Sequence, residues 1–164
     1  GLLLGETPEL IAQGLVSYQA SGMRQNIYEQ DGYQIYADCY NASPDAMEAT
    51  LSVLGGMAGN GRRFAVLGSM LELGDYAEEG HRRAGRAAAQ YADALYAYGP
   101  DAAAMVAGAR EKGMEHAYAF DDQTALVAAL REDAKKGDAL LFKGSRGMRM
   151  ERALAMFLGE EVEA

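Results

Sequence analysis

Three short segments of this chain collect side chains able to bind a charged small molecule. The sharpest is Lys143-Gly144-Ser145-Arg146-Gly147-Met148-Arg149-Met150-Glu151-Arg152, a glycine turn leading into a helix start. Its four bases sit in or beside the first helical turns, where the macrodipole disfavours cations by roughly 0.3–1 kcal/mol each. An acidic protein that gathers bases there has reason to bind an anion, although a solvated arginine stripe on an amphipathic helix would use the same residues. The second segment, Asp38-Cys39-Tyr40-Asn41-Ala42-Ser43-Pro44, leaves a strand and enters a helix. Strand alternation puts Ile35, Ala37 and Cys39 on one face and Tyr36, Asp38 and Tyr40 on the other. Asp38 is thereby left at the strand's end, where a carboxylate could grip a ribose hydroxyl while the following helix N-terminus favours an anion. Asp38 and Ser43 would equally serve to cap and turn the chain. The third segment, Leu67-Gly68-Ser69-Met70-Leu71-Glu72-Leu73-Gly74, is an apolar octet holding one acid. Met70, Leu71 and Leu73 are costly in a surface loop unless they pack against something, and core packing would account for them as well.

Other reactive side chains carry less. Cys39 has no histidine nearby in sequence and reads as a small packing residue. His81, in Gly80-His81-Arg82-Arg83, follows the apolar octet and could meet that loop, although a solvent-exposed helix face is the expected place for it. His116 should only start a strand, and Asp121-Asp122 reads as a helix cap without the further ligands a metal needs. Arg24, taken alone, is an ordinary surface base. Neither a Gly-x-x-x-x-Gly-Lys-Ser/Thr loop nor a Gly-x-Gly-x-x-Gly turn between strand and helix occurs, so no nucleotide-hydrolysing machinery is expected within these residues.

The elements that must position these segments follow from periodicity and breakers. Thr7-Pro8-Glu9 predicts a short amphipathic helix to about residue 18, which Ser21-Gly22 interrupts. Residues 25–30 and 33–40 read as two strands around Asp31-Gly32, the dipeptide of a tight hairpin. Ser43-Pro44-Asp45 starts a helix that carries Met47, Leu51 and Leu54 to about residue 57. Strands at 64–68, 94–98, 116–120 and 138–142 then alternate with helices at 78–92, to about 112, at 123–134 and at 146–158. That alternation predicts an α/β, Rossmann-like three-layer αβα domain with a mostly parallel sheet of about six strands and one antiparallel edge strand. Ligands of such sheets bind beyond the carboxyl ends of the strands, where all three segments fall.

Composition removes whole classes. The chain has 164 residues, 49% apolar and 24% charged, which suits a compact domain with a real core and excludes disordered and collagen-like chains. With 15 basic against 24 acidic residues the formal charge is −9, which argues against a nucleic-acid partner. No apolar run approaches the roughly 20 residues of a membrane span. The single cysteine points to a reducing, cytoplasmic compartment. The opening Gly1-Leu2-Leu3-Leu4-Gly5 lacks a basic leader and reads as the end of a preceding element.

Together and in this order, the three segments resemble the C-terminal domain of the Mur ligases, specifically the type that adds D-alanyl-D-alanine to UDP-MurNAc-tripeptide. That type shows stretches like Asp-Ser-Tyr-Asn-Ala-Asn-Pro-Asp-Ser-Met, Leu-Gly-Asp-Met-Leu-Glu-Leu-Gly and a late Lys-Gly-Ser-Arg followed by Met-Glu. They are matched here by residues 38–47, 67–74, 143–146 and 150–151. The resemblance implies an ATP- and magnesium-dependent amide-bond-forming step in peptidoglycan precursor synthesis, and it implies a division of the chain. Residues 1–21 would be the tail and linker of a central ATPase domain, and 22–164 the C-terminal domain. The phosphate loop, magnesium ligands and modified lysine would belong to that central domain, so residues 22–164 would hold no catalytic residue and no metal, and would be inactive alone. Arg24, Asp38, Tyr40 and Asn41 would lie on the nucleotide side. Leu71, Glu72, Lys143, Ser145 and Arg146 would face the dipeptide, with a cation holding its carboxylate. The partners implied are the two substrates and the chain's own N-terminal and central domains. Ser69, Ser43 and Cys39 stand where the family usually has Asp, Asn and Ser. A Mur-like ligase with another amino-acid acceptor, or a noncatalytic α/β module that binds a small anion through Lys143 and Arg146, remain alternatives at this stage.

Overall fold

The chain begins its sheet with the predicted hairpin, in which Asp31 and Gly32 take φ of 53° and 86°. Positive φ at both turn positions is what a two-residue hairpin matched to the right-handed strand twist requires. It joins β1 (Asn26–Gln30) to β2 (Tyr33–Asp38), antiparallel with Gln30 opposite Tyr33. The computed structural model describes residues 25–57 and 59–161, so the leading helix expected from Thr7, the domain boundary near residue 22 and Arg24 lie outside the described residues.

After β2 come α1 (Pro44–Gly56), β3 (Arg63–Gly68), α2 (Ala77–Tyr91), β4 (Ala94–Tyr98), α3 (Ala102–Glu111), β5 (Ala117–Phe120), α4 (Gln123–Asp133), β6 (Ala139–Lys143) and α5 (Met150–Leu158). Helix starts follow local chemistry. Ser43 caps α1 by accepting from the Ala46 amide at 3.3 Å, with Pro44 in its first turn, and Asp122 caps α4 by accepting from the Ala125 amide at 2.8 Å. The sheet order is β1-β2-β6-β3-β4-β5, with every pair but β1–β2 parallel. All five residues of β6 are buried, as a central parallel strand covered on both faces demands.

Two cores sandwich the sheet. On one face Met47, Leu51 and Leu54 of α1, Ala84 and Ala88 of α2 and Met105 and Ala109 of α3 pack with Tyr36, Leu67 and Leu141. On the other, Leu126 and Leu130 of α4 and Ala153, Leu154 and Phe157 of α5 pack with Ile35, Val66 and Phe142. Cys39 joins the second core with Ile35 and Ala37, in keeping with the expected alternation.

The last helix departs from expectation. It begins at Met150, not near residue 146, after a single 3₁₀ turn at Arg146–Met148 and a left-handed Arg149 with φ 49°. The Gln123 carboxamide donates to the Met148 and Arg149 carbonyls at 2.9 and 3.2 Å and holds that bend. Of the four bases, only Arg152 therefore lies in the first turn of α5. The macrodipole argument for an anion does not apply to Lys143 and Arg146, which sit in a strand and a preceding turn.

Candidate functional site

Three loops converge at the carboxyl end of the sheet because β2, β6 and β3 are neighbours. The predicted site residues divide there into a buried layer and an outward row. Asp38, Lys143 and Ser145 are buried; Tyr40, Asn41, Leu71, Glu72 and Arg146 are exposed.

In the buried layer Lys143, only 1% exposed, donates from Nζ to Asp38 Oδ2 at 2.6 Å and to the Asn41 carbonyl at 2.7 Å. Register explains the meeting, since Asp38 and Lys143 are partners at the ends of adjacent parallel strands. A charge taken so far from water is tolerated only when paired and hydrogen-bonded, and this pair ties the first loop to the third.

The second and third loops are joined by Ser145. Its amide donates to the Ser69 carbonyl at 3.3 Å, and its Oγ accepts from the Leu71 amide at 2.9 Å. Their close approach depends on Gly144, where a Cβ would stand 2.7 Å from Met150 Cγ and 3.1 Å from Gly68 Cα. On the surface the Arg146 guanidinium lies 5.3 Å from the centre of the Tyr40 ring, within cation–π range. Leu71 covers Gly147, and Glu72 follows with a left-handed φ of 65°.

Sequence reasoning missed a second buried tier beneath the 69–72 turn. His81, expected on a solvent-exposed face, is fully buried. Its Nε2 accepts from the Met70 amide at 2.8 Å and its Nδ1 donates to the Ala77 carbonyl at 2.6 Å, which places the ring proton on Nδ1. Asp101 Oδ2 stands 3.7 Å from Nε2. Ser69 is buried too, with its Oγ accepting from the Asp101 amide at 3.1 Å and donating to the Tyr98 carbonyl at 3.4 Å. The signal for His81 was available: it falls in helical phase with Ala84 and Ala88, the buried stripe of α2.

The remaining candidates behave as packing or capping groups. Cys39 donates weakly to the Phe142 carbonyl at 3.4 Å, and burial, reinforced by Glu151 and Asp38, pushes its thiol up to about 12. Such a thiol is no nucleophile at neutral pH. His116 lies just ahead of β5, with its ring beside the Tyr118 hydroxyl at 3.2 Å. Among the described residues no group of three His, Cys, Asp or Glu side chains could hold a metal ion, and no helix is long and apolar enough to cross a membrane.

A mostly parallel sheet with polar loops gathered at its strand ends is the form of a ligand-binding α/β domain. The family described as Mur ligase, glutamate ligase domain, matches residues 23–146, and the chain belongs to that family. It is 36% identical over 154 residues to the UDP-N-acetylmuramoyl-tripeptide–D-alanyl-D-alanine ligase of Bacillus subtilis, covering 92% of this chain and 34% of that protein. Among solved structures it superposes on MurF from Acinetobacter baumannii with a TM-score of 0.83 and 31% identity, over 97% of this chain and 35% of the other. MurF ligase from Thermotoga maritima in complex with ADP gives a TM-score of 0.80 and 34% identity, over 96% and 35%. The chain thus spans a quarter to a third of the length of the curated relatives it matches.

Proposed function

We propose that this chain is the C-terminal part of an ATP-dependent ligase that joins D-alanyl-D-alanine to UDP-MurNAc-tripeptide in the cytoplasm. The observation that carries the reading is the outward row of Tyr40, Asn41, Leu71, Glu72 and Arg146, which three loops bring to one end of the sheet, each from a motif of the resemblance. Relatives from Bacillus, Synechocystis and Treponema that bear the name of this ligase support it.

In such a reaction ATP supplies the phosphoryl group that activates the tripeptide carboxylate, magnesium neutralises phosphate charge, and the dipeptide amine displaces phosphate. We place Arg24, Asp38, Tyr40 and Asn41 on the nucleotide side, and Leu71, Glu72, Lys143, Ser145 and Arg146 on the dipeptide side. Asp38 and Lys143 act from beneath, neutralising one another while aiming the turns that follow them. Arg146, steadied against Tyr40, is then the cation offered to the dipeptide carboxylate. The metal ligands and phosphate loop are assigned to a central domain, of which residues 1–21 form the tail. The share of residues 22–164 is to close over that domain and keep water from the activated carboxyl.

Phosphate release by the full-length protein with ATP, magnesium and UDP-MurNAc-tripeptide tests this, comparing D-alanyl-D-alanine with single amino acids in wild type and Arg146→Ala. Release should require the dipeptide, and the variant should raise its KM by about tenfold or more with little change in kcat. Equal service by single amino acids would refute the dipeptide assignment. Submicromolar binding of ATP or the dipeptide to this chain alone would favour a self-sufficient anion-binding module instead.

A further inference from the structure

His81 is a buried titratable side chain that the proposed chemistry leaves without a task. Both its ring nitrogens are engaged, one on its own helix and one on the turn that carries Leu71 and Glu72. That turn has little secondary structure to hold it. The Met70 amide is satisfied by His81 and the Leu71 amide by Ser145 Oγ, so side chains from α2 and from the loop after β6 supply the bonds that a strand or helix would otherwise provide. Glu72 follows directly in the left-handed region, a conformation unfavourable for a residue with a Cβ that persists only where its surroundings impose it. The Met70 side chain, 2% exposed, pins the turn from below. Asp101 Oδ2, at 3.7 Å from Nε2, is too distant to compete with the Met70 amide for the ring.

We infer that His81 is a positioning residue whose Nε2 holds the Met70 amide and so fixes the turn that presents Leu71 and Glu72 to the incoming dipeptide. The part that concerns the dipeptide rests on the ligase reading; the part that concerns the turn does not. The imidazole touches no reacting atom. It acts as a rigid strut between the first turn of α2 and the turn after β3, its tautomer set by the Ala77 carbonyl.

Nitrogen NMR of wild-type chain reads the tautomer directly. A proton on Nδ1 with Nε2 unprotonated is expected, and a proton on Nε2 overturns the inference whatever any variant does. Two substitutions extend the test: His81→Leu removes the acceptor at similar size, and His81→Gln returns an acceptor close to the position of Nε2. Hydrogen exchange of the Met70 and Leu71 amides should quicken by about tenfold or more in His81→Leu and recover towards wild type in His81→Gln. Unchanged exchange in folded His81→Leu would overturn the strut. In the full-length protein, His81→Leu should raise the KM for D-alanyl-D-alanine about tenfold, leave the KM for ATP within about twofold, and be rescued by His81→Gln. A loss of kcat without that split would make His81 a folding residue alone and refute its role towards the dipeptide. If the wild-type protein shows no dependence on the dipeptide, the ligase reading fails while the exchange and tautomer results still decide the strut.

Discussion

Lys143 shows how one residue type can carry two meanings. Its position after a buried strand and before Gly144-Ser145-Arg146 suggested a cation for a ligand, yet the structure spends its charge on Asp38 and the Asn41 carbonyl. Desolvating both ions costs several kcal/mol each, so the pair adds little net stability, while removing one partner strands the other in a dry site. Lys143→Met should therefore cost about 3–5 kcal/mol in urea-induced unfolding, and Asp38→Leu combined with Lys143→Met should regain much of that loss. A loss below about 1 kcal/mol for the single variant would mean that Asp38 reaches water. The inside-or-outside division of the candidate residues was partly legible: alternation placed Cys39 and Tyr36 on opposite faces correctly. It was not legible for Lys143, because burial of its ammonium depends on a partner 105 positions away.

At the scale of elements, the boundaries set by turn and cap chemistry were readable. Asp31-Gly32 fixed the hairpin and Ser43-Pro44-Asp45 fixed the start of α1, because those residues act locally. The bend at Arg149 was not readable, since a left-handed arginine is held there by Gln123 from another helix. Nor was the order of strands, in which β6 inserts between β2 and β3 and thereby creates the meeting of the three loops. The packing of α2 on α3 likewise escapes a reading by hydropathy, because it works through absent side chains. A Cβ at Gly85 would overlap the Met105 carbonyl oxygen, and one at Gly108 the Arg82 carbonyl oxygen. Backbone cannot yield as a flexible side chain does, so Gly85→Ala or Gly108→Ala should destabilise by about 1–3 kcal/mol. Gly56→Ala, at the end of α1 with nothing within 4 Å of the added carbon, should instead stabilise by about 0.5–1 kcal/mol. Thermal melts of the three variants check both signs, and a shared sign would remove close helix approach as the cause.

Across the whole molecule the two ends of the sheet are built differently. The carboxyl end carries the open loops and the exposed Arg146, whereas the amino end is tied by carboxylates. Asp93 accepts from the Arg63 backbone and guanidinium at 2.8 and 2.9 Å, Asp133 pairs with Arg62 at 2.7 Å and accepts from the Tyr96 hydroxyl at 3.0 Å, and buried Asp138 accepts from the Arg62 and Lys135 amides at 2.8 and 2.7 Å. The Arg63 guanidinium holds Asp93, and the Arg62 guanidinium holds Asp133, below the ordinary carboxylate value of 3.8. A depressed folded-state pKa contributes stability that is fully present above the unfolded value and is lost as pH falls through the folded one. Stability should accordingly stay flat from neutrality down to about pH 5 and drop below about pH 4. Both carboxylates are about a third exposed, at 37% and 32%, so solvent screening limits each pair to under about 1 kcal/mol. Unfolding free energies measured at stepped pH in wild type, Arg62→Gln and Arg63→Gln decide the matter. The variants should be less stable at neutral pH and lose less on acidification, converging with wild type as pH falls through the lowered folded-state values of Asp93 and Asp133. Parallel curves for all three proteins would locate the acid sensitivity elsewhere, in the general protonation of a chain whose formal charge is −9 at neutral pH. Convergence would mean that the end of the sheet remote from Arg146 is secured by charge, leaving the loop-bearing end to depend on the few buried hydrogen bonds of Lys143, Ser145 and His81.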